Sequence, residues 1–554
     1  MPRWETGLFQ LWKLAGGRCF LVLVATQIIS LVMSTMLSTR MPLSFFGTVW
    51  RRFGLIEQTA ILVIATALAA AVAATPDLVT PLCRAITAGG MLASTYGILQ
   101  YFGVDPFLDP RLYSIEYFGG VLRPPSTMGH ALYFSSWLVT VVFVAGSLAR
   151  GEASRGWRIM HGSAVALGGI AIGLTGTRSA LLALLAGGIV FIVRGRRGGG
   201  AHSRLRMAAA TATVLLIPGG VVLSPAGANL RTRVLQWRTE TGGPRLQMWR
   251  ESPGLIGQTP LWGAGPETFA AEFRRVQSAA LSRQYPDFYN ETPHNAFIDA
   301  ACAQGVPGFL ILAGVFALAF SAGRGSVSDY PLRAGLSAAM VALFVSLMFA
   351  SLTLITSMML WSLAGLSVAL RPVRGGAKYT GKFRMPMLPA VIVGGAFLLC
   401  GVSLAVRDAA WADLGRAVEA RDFAVAGRSL TTATTALIDS PGYELWGSRQ
   451  MATLGRSLGN TPDKSAAWVH AAEAAALAET RGDEPFSAAY QSAVLAVAAG
   501  NLGQADVAAR RVVRLAPNWY KGHLLLSQLL GAEGKRDAAE NEARISAGLG
   551  WSRK

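Results

Sequence analysis

Charge is scarce in this chain, and acid is the scarcer sign. Only 15% of the 554 residues are charged, with 31 Asp/Glu against 50 Lys/Arg. So little charge, beside 52% hydrophobic residues and a mean hydropathy of +0.40, excludes an ordinary soluble protein of this length. Cysteine is scarcer still. The four, Cys19, Cys83, Cys302 and Cys400, lie in or beside apolar runs without metal-like spacing. Neither a disulfide framework nor a zinc site is expected from them. The basic excess also lacks a polar domain to sit on. Residues 1–405 hold 33 Lys/Arg against 15 Asp/Glu, whereas 406–554 hold 17 against 16. A nucleic-acid binder would gather that charge on one polar domain. Here it lies mostly in short segments between apolar runs, which is how a multi-spanning membrane protein sets its orientation. No nucleic-acid partner is expected.

What the chain does have is long apolar runs. A helix needs about 20 apolar residues to cross a bilayer. Candidate spans are 19–37, 57–76, 80–100, 130–148, 161–176, 178–194, 206–223, 296–320, 331–349, 352–370 and 386–405. Arg3, Lys13 and Arg18 precede the first and mimic a signal peptide, but no clear cleavage site follows, so a retained helix is expected. With the N-terminus inside, the basic segments 149–160, 194–206 and 371–385 fall inside too, as positive charge prefers. The segment 38–56 disagrees: it should be outside, yet carries Arg40, Arg51 and Arg52. Outside also lie a loop of about 225–293 and everything from 406. The loop has aromatics such as Trp237, Trp249, Trp262, Phe269 and Phe273, and is expected to fold over the membrane surface.

Residues 406–554 are Ala-rich, helical in period and free of spanning runs. Near the end a period of 34 matches Gly500 to Gly534, Ala505 to Ala539 and Leu495 to Leu529. This resembles tetratricopeptide repeats, helix–turn–helix pairs stacked into a solenoid. An earlier unit around RDFAVAGRSL (421–430) is off-register. The alternative is an ordinary helical domain; either suits a protein partner better than catalysis. The expected fold is all-α. A transmembrane helical bundle of about eleven spans occupies 1–405, and a TPR-like α-solenoid occupies 406–554.

Three stretches carry chemistry. The first is ETPHNAFIDAACAQGVPGFL, 291–310, where a polar segment turns apolar. His294 lies eleven residues before Gly305 and fourteen before Gly308, about three and four helical turns. On one helix face the glycines would admit a neighbouring helix while the histidine stands at the outer mouth. A histidine there can take a proton from a hydroxyl; the alternative is a histidine wetted by headgroups. Asp299 lies about 140° further round the helix and is not expected to pair with His294 on that face. The second stretch is TGTRSALL, 175–182, where Thr177 can cap a helix beginning at Arg178. A helix start beside a guanidinium suits an anion; the alternative is a snorkelling arginine. The third is the outer loop, with Arg231, Arg233, Arg238, Arg245 and Arg250. Outward arginines fit a lipid-linked pyrophosphate, or they pair with Glu240, Glu251, Glu267 and Glu272. Arg51, Arg52 and Arg123, with His130, add to the outer set.

Taken together, these features resemble the O-antigen ligase / Wzy-type polymerase superfamily. Arg178-x3-Leu182 matches its Arg-x3-Leu motif. His294-Asn295-x9-Gly305-x2-Gly308 matches its His-Asn-x9-Gly-x2-Gly motif at every fixed position. PLWGAGPETF resembles the family's Pro-x2-Gly-x-Gly segment, at Pro260, Gly263 and Gly265. The resemblance implies a metal-independent inverting glycosyltransferase without a cofactor. It would take a glycan from an undecaprenyl-pyrophosphate carrier at the outer face of the bacterial inner membrane. By the same resemblance His294 activates the acceptor hydroxyl and arginines hold the leaving group. Arg178 is then catalytic, and Arg245, Arg250, Asn295, Arg123, Arg51 and Arg52 bind substrate. The basic ligase pattern has no repeat tail, which leaves lipid A–core, another glycan or a protein open as acceptor. A flippase for lipid-linked sugars is the reading from another class. It would predict charged or broken midplane helices and internal symmetry, and no such symmetry is seen. A membrane anchor for the repeats would not need so many spans.

Overall fold

A computed structural model describes residues 4–115, 121–195, 212, 216–228, 231, 243–287, 289–322, 332–371, 387–435 and 441–550. These are helical apart from an antiparallel pair of two-residue strands, β1 (Ser114–Ile115) and β2 (Val121–Leu122). The first half contains α1 (Trp4–Lys13), α2 (Gly17–Met36), α3 (Met41–Phe46), α4 (Leu55–Ala74), α5 (Val79–Tyr101), α6 (Ala131–Gly151), α7 (Arg155–Leu174) and α8 (Arg178–Gly195). Next come the loop helices α9 (Arg245–Ile256), α10 (Phe269–Val276) and α11 (Ala279–Gln284), then α12 (Ala296–Ala322), α13 (Leu332–Leu347) and α14 (Leu354–Ala369). Among the described residues, α2, α4, α6, α7 and α12 are long and apolar enough to cross a membrane. The shorter apolar helices α13 and α14 have 16 residues each. The expected span 206–223 and the basic segments 194–206 and 371–385 lie partly or mostly outside the described residues, and Arg233, Arg238 and Glu240 lie wholly outside them.

The core of the bundle is α6, whose most apolar window is 94% buried. A helix apolar on every side packs against protein or lipid, and α6 packs against protein. Its hydroxyls would be stranded there, so Ser135 and Ser136 donate back to the Leu132 carbonyl and Thr140 to that of Trp137. Ser346 of α13 donates to Ser136 across the helix pair at 2.8 Å. At the end opposite His294, Arg84 forks onto Glu152 at 2.7 and 3.0 Å, with His161 Nε2 3.8 Å away. All four cysteines are free thiols.

The outer loop has its own small core of Met248, Leu255, Phe269, Phe273 and Leu281, closed by Cys302 of α12. It is bound to α12 through a break in that helix. Gly305 has φ 68° and ψ −163° inside α12, a conformation open to glycine. The break frees two carbonyls: Ala264 N–H donates to Cys302 O at 2.8 Å and Gly265 N–H to Ala303 O at 3.0 Å. In return Val306 N–H donates to Pro260 O at 2.8 Å. Hydroxyls from the first hairpin complete the lock, Ser34 on Ala303 O and Ser38 on Ala264 O. This corrects the expectation of one continuous face carrying His294, Gly305 and Gly308. A Cβ on Gly305 would meet the Pro260 carbonyl oxygen at 2.4 Å, so its partner is the outer loop rather than a neighbouring helix.

The rest of the chain is α15 (Met387–Glu419), α16 (Phe423–Thr434), α17 (Glu444–Ser457), α18 (Pro462–Arg481), α19 (Pro485–Ala498), α20 (Leu502–Leu515), α21 (Tyr520–Ala532) and α22 (Arg536–Gly548). The boundary drawn at 405/406 falls inside α15, one helix with an apolar first half and a second half packed through Trp411 and Leu414. Each of these helices packs on the next. The turns 34 residues apart have the same bonds: Asn501 N–H reaches Ala496 O, and Lys535 N–H reaches Leu530 O, both at 2.9 Å. Gly500 and Gly534 sit there at φ 74° and 80°, the left-handed close of a helix. The off-register unit shares that turn, with Asp422 N–H on Ala417 O and Arg421 at φ 56°.

Candidate active site

His294 stands one residue outside the cap of α12. Its backbone is left-handed at φ 52°, and its N–H donates to Thr292 Oγ1 at 3.2 Å. Thr292 in turn accepts from Ser351 at 2.8 Å. The Asn295 side chain caps the helix, accepting from Phe297 N–H at 3.0 Å and Ile298 N–H at 3.2 Å, and donates to Met348 O. Phe297 then packs on Phe316 and Phe344 at 5.8 and 5.6 Å, which fixes the first turn. Asn295 thus orients the histidine from its expected place, through backbone bonds.

The half-buried imidazole leaves Nδ1 without a hydrogen-bond partner. Burial first, then Arg245, His130 and Arg51, push its proton affinity down to about 3. The ring is therefore neutral near pH 7, with one nitrogen carrying a lone pair. Arg245 and Trp249 lie four apart and share a face of α9; Trp249 Nε1 donates to Pro293 O at 2.7 Å, and this face meets the histidine segment. Arg250, about 140° away around the helix, is exposed, so Arg245 and not Arg250 meets His294.

Arg51 differs from its expected role in holding a substrate. It is 7% exposed and pairs with Glu267 at 3.2 Å and Asp299 at 2.9 Å, and it donates to Leu352 O at 3.0 Å. Burial opposes the charge, but Glu267 and Asp299 more than offset it and raise its affinity for the proton. Arg51 is thus a clamp between the first hairpin, the loop and α12. Asp299, read as unpaired with His294, is Arg51's partner. Arg52 lies among Glu57, Tyr443, Glu444 and Asp408, toward the C-terminal helices, and burial lowers its affinity for the proton. Below the clamp a small cavity runs into the bundle, lined by Gln27, Gln58 and Gln304 as well as by Phe53, Leu312 and Trp361.

Arg123, in the loop before α6, holds the turn ahead of Arg178. Its Nε donates to Thr175 O at 2.9 Å and its terminal nitrogen to Thr177 Oγ1 at 3.3 Å. α8 begins at Arg178, as the sequence predicts. His130 follows in the same loop as Arg123 and caps α6, accepting from Leu132 N–H; its field reaches His294. The sequence reading missed Glu291. One of its oxygens is buried without a hydrogen-bond partner, 4.0 Å from Arg51, and burial raises the carboxyl to about 7. Its position three residues before His294 was the available signal. Of the acids expected to neutralise loop arginines, Glu267 and Glu272 pair with Arg51 and Arg40 of the first hairpin instead. Glu272 also reaches its own helix neighbour, Arg275.

A neutral histidine thus faces an arginine across a loop that is locked to its helix. Residues 163–313 match the O-antigen ligase family model. The matched ligase segment runs from α7 through Arg178 and the whole outer loop to His294, Asn295, Gly305 and Gly308. It supports the O-antigen ligase / Wzy-type superfamily, and with it a multi-pass membrane glycosyltransferase that uses a lipid-linked glycan donor and a glycan acceptor. Arg51, Arg52, Arg123 and the C-terminal helices lie outside the segment. No curated protein and no solved structure matches the chain.

Proposed function

We propose that this protein moves a glycan from an undecaprenyl-pyrophosphate carrier to an acceptor hydroxyl, as an inverting, metal-independent O-antigen ligase. The reaction takes place at the periplasmic face of the inner membrane, across about eleven spans, with the outer loop and the C-terminal region outside. The observation that carries this reading is His294, a neutral imidazole whose buried Nδ1 has no hydrogen-bond partner, in the field of Arg245 and inside the matched segment. The acceptor hydroxyl gives its proton to His294 while its oxygen forms the new bond at the anomeric carbon. The bond to the pyrophosphate oxygen breaks, and Arg178, Arg123 and Arg245 take up the released charge. Burial, and after it the cations Arg245, His130 and Arg51, suppress the basicity of His294. A pyrophosphate beside Arg245 offsets that field and raises the histidine's proton affinity, so donor binding readies the base.

His294→Ala and Arg178→Ala, assayed for transfer from a lipid-linked oligosaccharide in vitro, should each lose at least about a hundredfold in rate. Full activity in both sinks the assignment. A second reading, a polysaccharide polymerase or protein O-glycosyltransferase, draws support from the C-terminal helices seated on the outer loop. These are read as TPR-like and suited to holding a protein partner. The glycan pool of a deletion strain separates the readings: uncapped lipopolysaccharide marks a ligase, shortened polymer a polymerase, and bare protein a protein glycosyltransferase.

A further inference from the structure

The loop joining α3 to α4 and the C-terminal helices enclose a second groove, of about 690 Å³. His294, Arg178 and Arg245 are not among its lining residues. One wall is Trp50; the other carries Tyr443, Trp446 and Arg449, with Asp483 and Glu484 at its edge. Trp50 is 70% exposed and its ring stands edge-on to Tyr443 at 5.9 Å, so it faces the C-terminal helices rather than lipid. Trp411 continues the array, edge-on to Tyr443 at 6.2 Å and to Trp446 at 6.3 Å. Trp411 is buried and props Tyr443 and Trp446, while Trp50 and Trp446 keep exposed ring surface. Burial raises both carboxyls above the usual carboxylate range. Asp483 already accepts from the Tyr289 hydroxyl, which ties this wall to the segment leading into His294. On the other wall Thr48 donates to Glu267 at 2.6 Å, the carboxylate that pairs with Arg51.

Open aromatic faces beside carboxylate acceptors fit one ligand class. A sugar ring has an apolar C–H face that lies on an indole and a rim of hydroxyls that donate to carboxylates. We propose that this groove is a saccharide subsite, holding neutral sugar units of the glycan while its reacting end lies at His294. The proposal rests on the glycosyltransferase reading for the identity of the glycan.

The test uses the full-length protein in detergent, with indole fluorescence as the readout. One probe is the oligosaccharide freed by mild acid from the host's lipid-linked pool, which represents the donor chain. The other is the core oligosaccharide freed from its lipopolysaccharide, which represents the acceptor. Binding of either probe that weakens about tenfold in Trp50→Ala and in Trp446→Ala, and recovers in Trp50→Phe, supports the subsite and names its source. Melting temperature confirms that the variants are folded. Binding of neither probe, or equal binding by wild type and both alanine variants, overturns it. His294→Ala separates this outcome from that of the transfer reaction: it should bind the probe normally while transfer is lost. Transfer without Trp50-dependent binding removes the groove alone. Trp50-dependent binding without transfer removes the transferase reading alone.

Discussion

His294 and Glu291 lie three residues apart, and burial moves their protons in opposite directions. The histidine is held down to about 3 from its ordinary 6.5, so the unfolded chain binds its proton more readily, and stability falls as pH drops through that window. The carboxyl is raised to about 7 from 4.5, so the folded chain binds its proton more readily, and stability falls as pH rises through that window. Between about 4.5 and 6.5 the two slopes oppose each other. Relative to wild type, Glu291→Gln should gain melting temperature progressively as pH rises from 4.5 to 7. His294→Gln should gain it as pH falls below 6.5. Melting curves across pH check both, and parallel wild-type and variant curves would refute the assignment. Arg51→Leu strands Glu267 and Asp299 in burial and should cost about 3–5 kcal/mol. Glu267→Gln in the same chain should recover part of that, read as melting temperature. The motif made His294 visible in the sequence, but the ion pairs of Arg51 were not, because Glu267 and Asp299 lie 216 and 248 residues further along the chain. The Asn295 cap was legible in principle, as a polar residue opening an apolar helix, but a substrate role was read into it first.

At the scale of elements, the lock between the loop and α12 decides how firmly the site is held. Gly305→Ala places a methyl group 2.4 Å from the Pro260 oxygen in a backbone state that alanine resists. The expected result is a loss of about 1–3 kcal/mol and a loop cut faster by protease between α9 and α11. Wild-type cleavage rates would show that the lock contributes little. The long apolar helices α2, α4, α6, α7 and α12 were legible because period and length are local. The break at Gly305 was not: spacings of eleven and fourteen fit an unbroken helix as well as a broken one. Only the loop some 40 residues earlier distinguishes them. The two helix turns at Gly500 and Gly534 were legible from the 34-residue period, since a left-handed residue falls on each matching glycine.

Across the whole molecule the C-terminal helices are pinned to the outer loop by several separate contacts. Asn518 donates to Gln277 O at 2.7 Å, Lys521 pairs with Asp287 at 2.8 Å, Arg274 lies over Phe486, and Tyr289 donates to Asp483. The Lys521 pair is exposed, so Lys521→Glu alone should cost no more than about 1 kcal/mol. Tyr289→Phe together with Asn518→Ala should open the interface, seen as faster amide exchange over 277–290 with the bundle unchanged. Unaltered exchange would mean that the docking rests elsewhere. Nothing in the sequence signals this docking, because its residues are ordinary surface polar groups brought together by the fold.

The lock at Gly305 also imposes an order on biosynthesis. Ser34 waits for Ala303, 269 residues later in the chain. The first hairpin is therefore made and inserted long before the backbone that completes it has been synthesised. Until then its hydroxyls have only local partners or water, because the loop that reaches them has not yet been made. Closure of the outer face is thus a late event, set by arrival of α12 rather than by the helices that precede it.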